Sequence, residues 1–264
     1  MILVVDDDDS LRQLLVKLFL KHGWATSECG DGEVALGLIE HTAFDLVLLD
    51  KNLPGLDGVE VLRRVRARGD TVAVAMMTGY GTVESAIETM ELGIEAYFMK
   101  PFESIHDLLA RTAEIVDRRR RKTALRRARP VAPRERAAVG LRFVVASPSH
   151  ETAEWVAAEL ERAGGVVRRV ANLETLVAET DEELADEALL DAAYGVAALS
   201  EAIARLRALP WAARVLVVGP SPTLEDVAAL ANAGAGGFLP GPHAYAAEFA
   251  PALARLLRDR RSAG

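Results

Sequence analysis

The stretch 46–58, LVLLDKNLPGLDG, constrains this chain most. Its four leading apolar residues, Leu46–Leu49, read as a short strand buried on both faces, the signature of a parallel sheet covered by helices. The run passes directly into a carboxylate, Asp50. The chain then breaks at Pro54-Gly55, and an amphipathic pattern begins near Gly58. A carboxylate at the carboxyl end of a buried parallel strand stands where open α/β sheets place their ligands and chemistry. Asp50 is therefore a candidate nucleophile, able to accept a phosphoryl group.

The surrounding sequence supplies the rest of such a sheet. Apolar runs predict β1 at 2–5, β2 at 25–28, β3 at 45–49, β4 at 72–77 and β5 at 95–99. Helical spacing predicts α1 at 11–22, with Leu11, Leu14, Leu15, Leu18 and Phe19 on one stripe and Ser10 or Asp9 as its cap. It predicts α2 at 32–41 with Val34, Ala35, Leu38 and Ile39 inward, α3 at 58–68, α4 at 82–92, and α5 from about Ser104. Strands and helices alternate five times with short connections, the pattern of a doubly wound parallel sheet. The ends of β1, β3, β4 and β5 carry Asp6-Asp7, Asp50, Thr78 and Lys100, all on one edge. Taken singly, these are explained by helix caps, loop acids and solvated strand ends. Taken together, they are not.

At 264 residues the chain has room for two ordinary domains. No apolar run approaches a membrane span, and Met1 leads straight into a strand rather than a leader, so a cytoplasmic protein is expected. The single cysteine, Cys29, excludes an intrachain disulfide and cysteine-based zinc sites. The net charge of −8 conceals an asymmetry, because Arg118–Arg136 holds ten of the 31 basic residues. The remainder is strongly acidic, which argues against nucleic-acid binding by the folded parts.

The motifs VVDDDDSLRQLL, LVLLDKNLPGLDG, MMTGYG and YFMKPF make residues 1–120 resemble the receiver domain of bacterial two-component response regulators. The resemblance implies that Asp50 takes a phosphoryl group from a sensor histidine kinase or a phosphotransfer protein. It implies Mg²⁺, with Mn²⁺ as a substitute, held by Asp7, Asp50 and the backbone carbonyl of Asn52, with Asp6 acting through metal-bound water. Lys100 then pairs with the phosphoryl oxygens and Thr78 donates its hydroxyl to them. Gly79 leaves room, Tyr97 turns inward as the switch, and Tyr80 and Asn52 tune the lifetime. A homodimer through an α4–β5–α5 face also follows from the resemblance. Self-phosphorylation and autodephosphorylation are the only activities it implies.

The second half repeats the first at a period of about 140 residues. Strands are expected at 141–147, 166–170, 187–190, 214–218 and 236–239, with helices through Trp155–Ala163, Val196–Leu206 and 223–233 and a last helix through Phe249, Leu253, Leu256 and Leu257. The motifs decay. Ala146-Ser147 stand for Asp6-Asp7, Asp191 for Asp50, Gly219 for Thr78, Gly237 for Tyr97 and Pro240 for Lys100. The expectation is a pseudo-receiver at 141–264, so the chain reads as two flavodoxin-like, doubly wound, five-stranded parallel sheets in tandem. They are joined by an α5 extended to about 128 and an arginine-rich linker over 121–140, with Pro130 and Pro133. No output module is visible, so a protein contact with an undefined partner is the expected output. Two other functions remain: a DNA-binding regulator using the basic connector, and a small-phosphoester phosphatase with Asp50 as nucleophile. The second wants another acid two residues on, where Asn52 stands.

Overall fold

A computed structural model describes residues 1–79, 81–128, 141–178, 185–208, 214–241 and 248–255, with side chains of α5 described to Arg121. The chain divides into two compact units, each built on its own five-stranded, all-parallel sheet.

Along residues 1–128 the elements are β1 (Ile2–Val5), α1 (Asp9–Lys21), β2 (Thr26–Cys29), α2 (Gly32–His41), β3 (Leu46–Asp50), α3 (Gly58–Ala67), β4 (Val74–Thr78), α4 (Val83–Glu91), β5 (Ala96–Met99) and α5 (Ile105–Ala128). The sheet order is β2-β1-β3-β4-β5. Ile2, Val4, Leu46, Leu48, Ala75 and Met77 pack against Leu15 and Phe19 of α1 and Leu108, Ile115 and Val116 of α5. Their neighbours Leu3, Val5, Val47 and Leu49 are buried too. Both faces are covered, which is why these strands read as unbroken apolar runs rather than alternating ones. Asp6 follows β1 and Asp50 ends β3, so both flank the point where strand order reverses.

Three local expectations change, the first being that Leu14, expected on the α1 stripe, is exposed. Asp8, rather than Ser10 or Asp9, caps α1, its carboxylate accepting from the amides of Ser10 and Leu11. Placing the cap one residue earlier lets the helix begin at Asp9. In α2 the buried stripe is Ala35, Leu36 and Ile39, while Val34 is exposed, a rotation of the helix that the short apolar run leaves undetermined.

The second unit comprises β6 (Arg142–Ala146), α6 (His150–Arg162), β7 (Val166–Val170), α7 (Leu173–Ala178), β8 (Glu187–Asp191), a 3₁₀ turn (Ala192–Tyr194), α8 (Val196–Arg207), β9 (Arg214–Gly219), α9 (Leu224–Ala233), β10 (Gly237–Pro240) and a helix at 248–255. Its order, β7-β6-β8-β9-β10, repeats that of the first sheet. The strand registers fix the correspondence between the two. Val5 pairs with Leu49 and Ala146 with Leu190, while Met76 pairs with Tyr97 and Val217 with Phe238. The amides of Lys100 and Gly241 donate to the carbonyls of Thr78 and Gly219 respectively. Ser147 therefore matches Asp6, Phe238 matches Tyr97, and Gly241 matches Lys100. The sequence pairings of Ala146 with Asp6, Gly237 with Tyr97 and Pro240 with Lys100 were each one residue early. Asp191 with Asp50 and Gly219 with Thr78 hold.

Candidate functional site

The site forms where β1, β3, β4 and β5 end together. Asp6 is fully buried and Asp50 nearly so, whereas Asp7 is exposed. Oxygens of these three carboxylates lie within 4.8 Å of one another. Lys100 Nζ bridges the two buried ones, donating to Asp6 Oδ2 at 2.6 Å and Asp50 Oδ1 at 2.8 Å. The Lys100–Pro101 peptide is cis. Burial pushes the Asp6 carboxyl above its usual range, and the pull of Lys100 only partly offsets it. Lys100 is itself depressed by burial, but the carboxylates of Asp50 and Asp6 more than reverse this and leave its ammonium raised.

Around this ion triad the backbone is tightly held. The amide of Asp8 donates to Asp6 Oδ1 at 3.0 Å. Lys51 N donates to the carbonyl of Met77, and Gly58 N to the carbonyl of Lys51, both at 2.8 Å. Gly58 has no room for a side chain, because a Cβ there would stand 2.2 Å from the carbonyl oxygen of Asp50. At Gly79, among the described residues other than its chain neighbours, a Cβ would meet only Lys100 Cβ, at 3.9 Å. Thr78 is completely buried, and its hydroxyl makes no hydrogen bond of ordinary geometry. Tyr97 is buried beside it, its phenol raised by burial against hydrogen bonding to Ser85 and Thr78. Asn52 lies in the exposed loop after Asp50. Tyr80 and the linker prolines fall outside the described residues.

The donor set suits a hard cation. Three carboxylates converge, no nitrogen or sulfur ligand accompanies them in the cluster, and oxygen-only sites favour Mg²⁺ or Ca²⁺ over softer metals. Sequence reasoning missed two contributors, Gly58 and Ser85. Each works through a backbone atom or a neighbour's hydroxyl, and no motif spacing signals that.

At the same edge of the second unit the described residues make different contacts. Ser147 Oγ donates to Asp191 Oδ2 at 2.5 Å, and Asp191 Oδ1 accepts from the amide of Ala193 at 2.9 Å. A Cβ on Gly219 would stand 2.3 Å from Ala192 Cβ, so the place matching Thr78 is closed. Among the described residues, only the first unit gathers three acids that fit a metal.

Residues 2–113 match the response regulator receiver domain family. The chain is 40% identical over 102 residues to sporulation initiation phosphotransferase F of Bacillus subtilis, covering 39% of this chain and 82% of that protein. It is 40% identical over 114 residues to response regulator protein FleR of Pseudomonas aeruginosa, covering 42% of this chain but only 24% of FleR. Among solved structures, the receiver domain of Francisella response regulator 1452 shares 32% identity with a TM-score of 0.42, covering 44% of this chain and 96% of that one. The chain belongs to the response regulator receiver family, through its first unit.

Proposed function

We propose that the protein is a response regulator that accepts a phosphoryl group on Asp50 and signals through protein contacts of its two units. The observation that carries this reading is the triad in which Lys100 bridges Asp6 and Asp50 beside Asp7. A phosphohistidine of a kinase or phosphotransfer protein is the donor. A carboxylate oxygen of Asp50 attacks phosphorus, the P–N bond breaks, and the imidazole leaves. Lys100 turns from the carboxylates to the new phosphoryl oxygens, and the hydroxyl of Thr78 donates to them. Asp7, Asp50 and the carbonyl of Asn52, with Asp6 behind them, are the residues to hold Mg²⁺. When bound, the cation neutralises charge that gathers on the transferring group. Tyr97, already buried, keeps the space vacated as Thr78 moves.

In this proposal the receiver occupies 1–120, the second domain 141–264, and the connector 121–140. The second serves as a pseudo-receiver, a contact module without phosphoryl chemistry. Beyond self-phosphorylation and autodephosphorylation no catalysis is assigned, and an α4–β5–α5 homodimer is one form of output. No helix among the described residues is long and apolar enough to cross a membrane, and a cytoplasmic site of action is part of this proposal. The DNA-binding reading would rest on the basic residues beyond Arg120. Arg118 pairs with Glu95, Arg119 donates to the carbonyl of Thr71, and Arg120 pairs with Asp45, so these cations are occupied within the first unit. The phosphatase reading still lacks its second acid at Asn52.

The test is intact mass after incubation with Mg²⁺ and a small phosphodonor. Wild type and Asp191→Ala should each gain one phosphoryl group, and Asp50→Ala none. A group persisting in Asp50→Ala would overturn the assignment.

A further inference from the structure

Arg12 stands on α1, outside the strand-end residues of the site. Its side chain is 15% exposed, and its guanidinium makes three contacts. Nη1 donates to the backbone carbonyl of Asp6 at 2.7 Å, Nε to the Glu28 carboxylate at 3.1 Å, and Nη2 to Asp9 at 2.5 Å. The amide of Asp6 meanwhile donates to the carbonyl of Cys29, and the amide of Arg12 to that of Asp8. The turn that carries Asp6 and Asp7 is thus tied to β2 on one side and to the first turn of α1 on the other. Gly30 completes the fit, since a Cβ there would lie 3.0 Å from Arg12 Nη1 and 3.4 Å from the carbonyl oxygen of Asp6.

The second unit provides an internal control. Val4 pairs with Glu28 as Val145 pairs with Arg169, and α1 and α6 begin at matching positions, Asp9 and His150. In this register Ala153 takes the place of Arg12, Arg169 that of Glu28, and Ala171 that of Gly30. The turn nevertheless forms in the same way, with the amide of Ser149 donating to Ser147 Oγ at 3.0 Å. Arg169 turns instead to Glu154. The fold therefore builds this corner without the arginine, and the copy that lacks the arginine is the copy that lacks the acids.

We infer that Arg12 is a positioning residue for the cation site: it fixes the main chain of Asp6 so that the carboxylates of Asp6 and Asp7 converge with Asp50. The inference rests on the receiver reading of that site. It makes a prediction whose sign separates it from simple electrostatics. A guanidinium repels a nearby cation, so if only its charge mattered, its removal would tighten Mg²⁺ binding. If it positions the ligands, removal weakens binding, and residues that orient metal ligands typically contribute about ten- to a hundredfold in affinity.

The experiment titrates Mg²⁺ alone into the full chain by calorimetry. It compares wild type, Arg12→Ala, and Arg12→Ala combined with Gly30→Ala, which reproduces the pair found at 153 and 171 and fills the space left behind. Amide exchange at Asp8 in the metal-free proteins is measured alongside. The dissociation constant should rise about tenfold or more in both variants, with faster exchange at Asp8. Phosphoryl labelling should recover at high Mg²⁺. Wild type that binds Mg²⁺, with folded variants binding equally or more tightly, overturns the inference and leaves the receiver reading standing. Wild type that binds no Mg²⁺ removes both.

Discussion

A buried carboxylate costs folding free energy unless partners offset its lost hydration. Among the described residues the cation bonded to the Asp6 carboxylate is Lys100, which it shares with Asp50, and the Asp6 pKa stays above the ordinary value near 3.8 because burial outweighs that cation. The charge of Asp6 is therefore maintained against stability. For an acid raised in this way, the contribution to stability is fully present below about 3.8 and is lost as pH rises through the raised folded value. Asp6→Asn keeps the shape and the acceptor for the amide of Asp8 while removing the charge. In metal-free protein it should raise stability at pH 7 by about 1 kcal/mol, with the gain shrinking toward pH 4, and it should weaken Mg²⁺ binding. Urea midpoints across that pH range provide the check, and a variant less stable than wild type at pH 7 would refute the argument. The second unit already carries the neutral solution: Ser147 in this place bonds Asp191 directly.

At the scale of elements, the site depends on how closely α3 approaches the end of β3. Gly58 opens α3 with its amide on the carbonyl of Lys51, and a Cβ there would also stand 3.0 Å from Lys51 Cα. Gly58→Ala must push the Asp50 backbone away. Overpacking of this kind costs about 1–3 kcal/mol, and displacing a reacting group by roughly 1 Å can slow a reaction about a hundredfold. Loss of labelling rate well beyond the loss of stability is the expected pattern, read from labelling time courses and urea midpoints. A labelling rate equal to wild type would dismiss it. This glycine shows where sequence reading stops. Strand runs such as Leu46–Leu49 and the acids, hydroxyl and amine at their ends were legible because burial on both faces forces continuous apolar residues and strand ends carry the chemistry. The stripe of α2 was not, since Val34 and Leu36 satisfy helical spacing equally well and only packing chooses between them. The short α7 carries too few turns for periodicity to mark it. Matching Pro240 rather than Gly241 to Lys100 followed chain similarity in a region rich in glycine and proline, where only hydrogen-bond register decides.

For the whole molecule, the two sheets share an order and a register but divide the chemistry between them. Asp50 and Asp191 occupy the same position, yet one faces Lys100 and two further acids and the other faces Ser147 and the amide of Ala193. The first is organised for a ligand, while the second is satisfied by its own fold. Two independent readouts should therefore separate them. Calorimetric titration should find one Mg²⁺ per chain, abolished by Asp50→Ala and unchanged by Asp191→Ala. Asp191→Ala should instead destabilise the second unit by about 1–3 kcal/mol, because the buried Ser147 hydroxyl and the Ala193 amide both lose their acceptor. Amide exchange that quickens in β6 and β8 but not in β1 and β3 would locate that loss. A second Mg²⁺ equivalent, removed by Asp191→Ala, would mean that the second sheet has kept a ligand site that its side chains give no sign of holding.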